Sequence, residues 1–168
     1  MTALISAVLT AAICAVMNFV LIPLIERTTE GMRCFDMSFG YGYEYAKRFT
    51  ELLSDEGRHV YLAYQLPLDF VYPIVYCIFF ISIIYLLLGR RSILFILPVT
   101  LSISDYTENV LTEIMLRSES LSVGLAAFAS TVTVVKTVLM YACFIIIAIL
   151  FIEWLVKRKK EKRINPET

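Results

Sequence analysis

The chain is short of the residues that most often carry chemistry. It has a single histidine, His59, and no HExxH pair, so a zinc site has too few ligands to form. Its four cysteines, Cys14, Cys34, Cys77 and Cys143, show no CxxC or other metal spacing, which sets aside a redox motif. Three of them lie inside apolar runs, where a thiol behaves as a small buried hydrophobe. Cys34 is alone in its loop, so no disulfide framework emerges. Glycine is scarce, six in 168 residues, and none gathers into a phosphate-cradling loop. No Ser/His/Asp arrangement marks a nucleophile. Fifteen basic residues cancel fifteen acidic ones, leaving no broad positive field for a nucleic acid. The one basic cluster, Lys157-Arg158-Lys159-Lys160-Glu161-Lys162-Arg163, reads as a membrane-proximal anchor on an anionic leaflet. No cofactor is implied.

What the chain has in excess is apolar surface. It is 59% hydrophobic with a mean hydropathy of +0.75, the composition of a polytopic membrane protein rather than a soluble domain. Four runs reach the roughly 20 residues that cross a bilayer core of about 30 Å: Thr2 to Ile25, Val60 to Leu88, Ser92 to Leu116 and Leu121 to Val156. The expected fold is therefore all-α, an integral membrane bundle of four transmembrane helices. Residues 1–156 form one domain and 157–168 a basic tail, its end from Ile164 to Thr168 disordered. A cleaved signal peptide is the rival reading of the first run. That run has no basic n-region, and its apolar stretch exceeds a typical h-region.

The segment from Glu26 to His59 is the only sizeable loop. Gly31, Gly40 and Gly42 punctuate its first half. From Glu44 to Glu56 the pattern turns helical, with Tyr45, Phe49, Leu52 and Leu53 forming a stripe against charged neighbours. Gly57 is the expected C-terminal stop of this short amphipathic helix. In the second run Asp69 stands between Pro67 and Pro73, so Gln65 to Pro73 reads as an irregular start of the span. Tyr61, Tyr64, Tyr72 and Tyr76 read mainly as an aromatic belt at the membrane interface. Four crossings put the N-terminus, Arg90-Arg91 and the basic tail on one side, which the positive-inside rule makes cytoplasmic, with the first loop extracellular or lumenal. Removal of the first run would leave the other three oriented the same way.

The third run holds the most informative residues. Ser102, Asp105, Glu108, Asn109 and Thr112 follow steps of i+3, i+4 and i+7, so a helix places them on one face. A charge at mid-bilayer costs at least about 2.5 kcal/mol, and such groups face a protein interior or a water-filled cavity. Reckoned at 1.5 Å per residue from the inner ends, Asn18, Asp69, Asp105, Glu108, Asn109 and Lys136 all fall roughly 20–30 Å up, in the outer half. By depth Asp69 and Lys136 make the natural ion pair, leaving Asp105 and Glu108 to Asn18, Asn109, tyrosines such as Tyr72, and water. Three carboxylates against one ammonium make a site that could exchange protons or accept a cation.

The expected function follows from that site. The chain binds or transports a small cationic or amphipathic ligand, or protons, through Asp105, Glu108, Asn109, Asp69, Lys136, Asn18 and Tyr72. Two other readings stand beside it. One is a membrane enzyme using the same acids on a lipid, sterol or isoprenoid. The other is a small accessory subunit, with homo- or hetero-oligomers possible in either case. In size, topology and basic tail, and in the stretch Gln65-Leu66-Pro67, the chain resembles the four-helix EXPERA group of sterol isomerases and ligand-binding proteins. The resemblance implies a shared architecture only. Where that group carries an acid four residues before the glutamine, this chain has Tyr61, and Thr28 and Thr29 fill the region of its first-helix acid.

Overall fold

A computed structural model describes residues 1–164, with side chains through Lys160. Of the expected disordered end, Ile164 closes a helix, and 165–168 lie outside the described residues. Among the described residues every regular element is helical and no strand occurs. The main elements are α1 (Thr2–Val16), α2 (Ile22–Glu26), α3 (Tyr43–Leu52), α4 (Asp55–Val60), α5 (Leu66–Leu88), α6 (Ile96–Arg117) and α7 (Val123–Ile164). Three helical stretches are long and apolar enough to cross a membrane: Thr2–Thr29, Asp55–Leu88 and Val123–Lys160. An integral membrane protein is consistent with them. The helix α6 is more polar than these and is packed between α5 and α7.

Proline shapes both of the first two long helices. A π turn, Met17–Leu21, joins α1 to α2, and a second, Tyr61–Gln65, joins α4 to α5. Each ends two residues before a proline, Pro23 or Pro67. A proline ring presses on the carbonyl four residues back and offers it no N–H. Here those carbonyls belong to Phe19 and Ala63, the central residues of the two π turns, which widen to relieve the clash. The two π turns pack against each other.

The second helix departs from the sequence expectation at its start. It opens earlier, at Asp55, and the irregularity near Gln65 is an internal π turn, Tyr61–Gln65, in a continuous helical stretch. The expected helix over Glu44 to Glu56 is also divided. Leu53 is extended, and Ser54 caps a new helix by accepting a hydrogen bond from the Gly57 amide at 3.1 Å. Asp55 and Glu56 then complement the positive end of the helix dipole. Gly57 therefore stops nothing; it lies inside α4 at a helix crossing. A methyl group there would collide with Thr28 of the preceding segment.

Pro73 lies inside α5 and leaves the Asp69 carbonyl without its helical donor. Asn109 of α6 supplies the missing bond, its Nδ2 donating to that carbonyl at 2.8 Å. Beside it, Tyr106 donates to the Phe70 carbonyl at 2.8 Å and Ser102 to the Pro73 carbonyl at 3.0 Å. A proline inside a long apolar helix is tolerated when a neighbour satisfies its freed carbonyls, as α6 does here. At the loop end, the Arg58 guanidinium donates to carbonyls at two helix ends, Leu116 of α6 and Thr50 of α3. Phe35, Phe49, Tyr61 and Leu116 fill the core beneath them.

Candidate ligand site

The site grows from the inward face of α6. Ser102, Asp105, Glu108, Asn109 and Thr112 are all buried, none more than 8% exposed. Lys136 of α7 lies opposite. Its Nζ stands 3.5 Å from Asp105 Oδ1 and in ion-pair contact with Glu108 Oε2. Thr133, one turn earlier on α7, donates to Glu108 Oε1 at 2.5 Å. Tyr76 of α5 donates to Asp105 Oδ2 at 2.9 Å. One ammonium thus bridges two acids a helical turn apart, and hydroxyls hold the far oxygens of both.

The expected Asp69–Lys136 pair is not formed. Depth along a helix says nothing about which way a side chain faces, and α7 packs chiefly on α6, so Lys136 meets the acids of α6. Asp69 instead accepts a hydrogen bond from the buried Gln65 amide at 3.0 Å. The tyrosines also depart from the interface-belt reading. Only Tyr64 is exposed, while Tyr61 and Tyr76 are each 1% exposed and bonded to carboxylates. Tyr72 packs edge-on against Tyr76, ring centroids 5.1 Å apart. Asn18 donates to the Cys14 carbonyl one turn back on α1 at 2.9 Å.

These groups border a cavity of about 390 Å³. Helix α1 packs on α5 and α7 packs on α6, and the cavity occupies the space between α1 and α7. Asp69, Asp105 and Lys136 form its polar wall, with Tyr72 and Asn18 beside them. Met17, Ile22, Met140 and Phe144 form the apolar wall. Glu108 and Asn109 do not border it. Glu108 is sealed behind Lys136, and Asn109 is committed to the α5 backbone.

Sequence reasoning missed Asp36. The first loop turns inward through a short 3-10 turn, Phe35–Met37, which places Asp36 and Met37 at the cavity. Phe35 anchors that turn, wholly buried against Tyr41 and Phe49 with ring centroids 4.9 and 4.6 Å away. Gly40 brings the loop onto α7, and the Tyr41 amide then donates to Ser130 at 2.8 Å. Tyr61 donates to Asp36 Oδ1 at 3.3 Å. Burial pushes the Asp36 carboxyl up to about 6; nearby Lys136 opposes the rise, and Glu108 and Asp105 add to it. The one available signal was an acid flanked by two apolar residues, Phe35 and Met37.

Among the described residues the cavity thus meets three aspartates, with Glu108 just behind them, against one cation, Lys136. Lys136 is engaged by Asp105 and Glu108. Asp36 and Asp69 make no ion pair among the described residues. No group of His, Cys, Asp and Glu among the described residues is arranged to hold a metal ion. The chain matches no family model, no curated protein and no solved structure.

Proposed function

We propose that the protein is a membrane-embedded binding protein for a small amphipathic cation. In this reading all four long helices, α6 included, cross the bilayer. The N-terminus and basic tail are cytoplasmic, and the first loop with its amphipathic α3 lies on the extracellular or lumenal side. The ligand's ammonium sits against Asp69 and Asp36, and its apolar body lies along Met17, Ile22, Met140 and Phe144. Lys136, Asp105 and Glu108 form the charge-compensated frame behind it. The supporting observation is the pair of aspartates, Asp69 and Asp36, that border an apolar-walled cavity without a cation partner among the described residues. A volume of about 390 Å³ falls within the range of small-molecule sites, roughly 300–1,000 Å³.

A chemical step on a lipid by Glu108 has less support, because the cavity stops short of that residue and both its oxygens are engaged. The test is ligand-induced thermal stabilisation in detergent micelles, using long-chain primary and quaternary amines beside fatty alcohols of equal chain length. Amines are expected to raise the unfolding midpoint and alcohols not to. Asp69→Asn and Asp36→Asn should each weaken the amine effect without lowering the midpoint of the free protein. Equal stabilisation by alcohols and amines would overturn the proposal.

A further inference from the structure

Far from the ligand cavity, at the end of the bundle that carries the basic tail, a second cleft of about 240 Å³ opens between α5 and α7. Its geometry follows from a glycine cap. Gly89 takes a left-handed conformation (φ +67°) and donates its amide to the Tyr85 carbonyl at 2.8 Å, closing α5. The chain then turns sharply, and Arg90 borders the cleft, as does Lys157 of α7. Neither cation has an acidic partner within ion-pair distance among the described residues. Glu153 also borders the cleft, so two cations and one acid leave a positive balance there.

The remaining lining is apolar. Leu87, Leu88 and Leu150 form the walls, and the cleft adjoins helices whose outward faces suit lipid chains. Trp154 closes one side and is held from two directions. Phe151 stacks on it with centroids 5.9 Å apart, and the Arg158 guanidinium lies 5.1 Å from its ring centroid. An aromatic ring between apolar helix and basic tail is the arrangement found at the headgroup level of a bilayer. Basic pockets between membrane helices at that level bind lipid phosphates.

We infer that this cleft is a binding site for one anionic phospholipid, the phosphodiester lying between Arg90 and Lys157 and the acyl chains along the outer faces of α5 and α7. The positive balance selects a headgroup that brings net negative charge, and Glu153 disfavours a second phosphate. This reading concerns the opposite end of the molecule from the amine site and stands or falls separately from it.

The test is native mass spectrometry of the full chain with palmitoyl-oleoyl phosphatidylglycerol or phosphatidylcholine at equal concentration. The intact protein should retain one phosphatidylglycerol at least tenfold more strongly than phosphatidylcholine. The double variant Arg90→Gln/Lys157→Gln should lose that preference, whereas Lys159→Gln/Lys160→Gln, with the same loss of charge outside the cleft, should keep it. Glu153→Gln should bind phosphatidylglycerol more tightly. A circular dichroism melt confirms that each variant remains folded. Equal retention of the two lipids, or equal loss of preference in the cleft and tail variants, would overturn the site.

Discussion

Asn109 serves the α5 backbone and does not border the cavity, and a double-mutant cycle with Pro73 tests this role. Replacing Asn109 by leucine removes the donor at 2.8 Å from the Asp69 carbonyl, in a position where Asn109 is only 3% exposed. Orphaning a buried backbone acceptor costs about 1–3 kcal/mol, while hydrogen bonds between membrane helices average nearer 0.6 kcal/mol. A loss of about 1–2 kcal/mol is therefore expected for Asn109→Leu. In a Pro73→Ala background residue 73 regains its N–H, and the Asp69 carbonyl recovers a helical donor. There Asn109→Leu should cost about 0.5 kcal/mol or less, giving a coupling near 1 kcal/mol. Reversible unfolding in mixed micelles, followed by circular dichroism, supplies all four stabilities. Additivity within about 0.3 kcal/mol would refute the argument that Asn109 replaces the bond that Pro73 removes.

The other predictions concern the charged frame, the helix crossing and the loop. Lys136→Met leaves Asp105 and Glu108 buried without a cation and should cost about 3–5 kcal/mol; adding Asp105→Asn and Glu108→Gln should recover most of it in the same unfolding assay. Gly57→Ala places a methyl group against Thr28 and should cost about 1–3 kcal/mol, seen as a lowered thermal midpoint that Thr28→Ala partly restores. Asp36 gives a pH dependence of defined sign. Its folded carboxyl titrates near 6 against 3.8 when free, so its contribution to stability is complete below the lower value and fades as pH rises through the higher. Asp36→Asn should flatten the fall in stability between those values, and an unchanged profile would remove Asp36 from the account.

Three of the four long apolar runs and the polar face of α6 were legible because each is a periodic or compositional signal carried within one segment; the third run, α6, is too polar to stand with the other candidate spans. Spacing alone places Ser102, Asp105, Glu108, Asn109 and Thr112 on one face, and the structure buries that face. The partner of Lys136 was not legible. Counting residues along straight helices gives depth but not azimuth, and the packing of α7 on α6 decides which acid Lys136 meets. Asp36 was hidden for another reason: a loop residue reaches a helical site only through tertiary contacts, here the anchoring of Phe35 and the approach of Gly40 to α7. Ser54 was a readable helix cap, a serine followed by Asp55 and Glu56, but the apolar stripe running on through Leu53 masked the break. The prolines were visible as kinks, while the identity of the group answering Pro73 depended on which helix lies alongside.

In the proposed function Asp36 and Asp69, without an ion-pair partner among the described residues, give the cavity a preference for positive charge. Two such carboxylates about 5 Å from a bound ammonium, at an effective dielectric near 20, would each contribute up to about 3 kcal/mol. The direct measurement is the ratio of dissociation constants for a quaternary ammonium amphiphile and its uncharged carbon isostere, taken on the intact protein and on Asp36→Asn/Asp69→Asn. At least a tenfold preference for the cation is expected in the intact protein, collapsing toward unity in the double variant. A ratio near one in the intact protein, or a preference that survives loss of both aspartates, would contradict it.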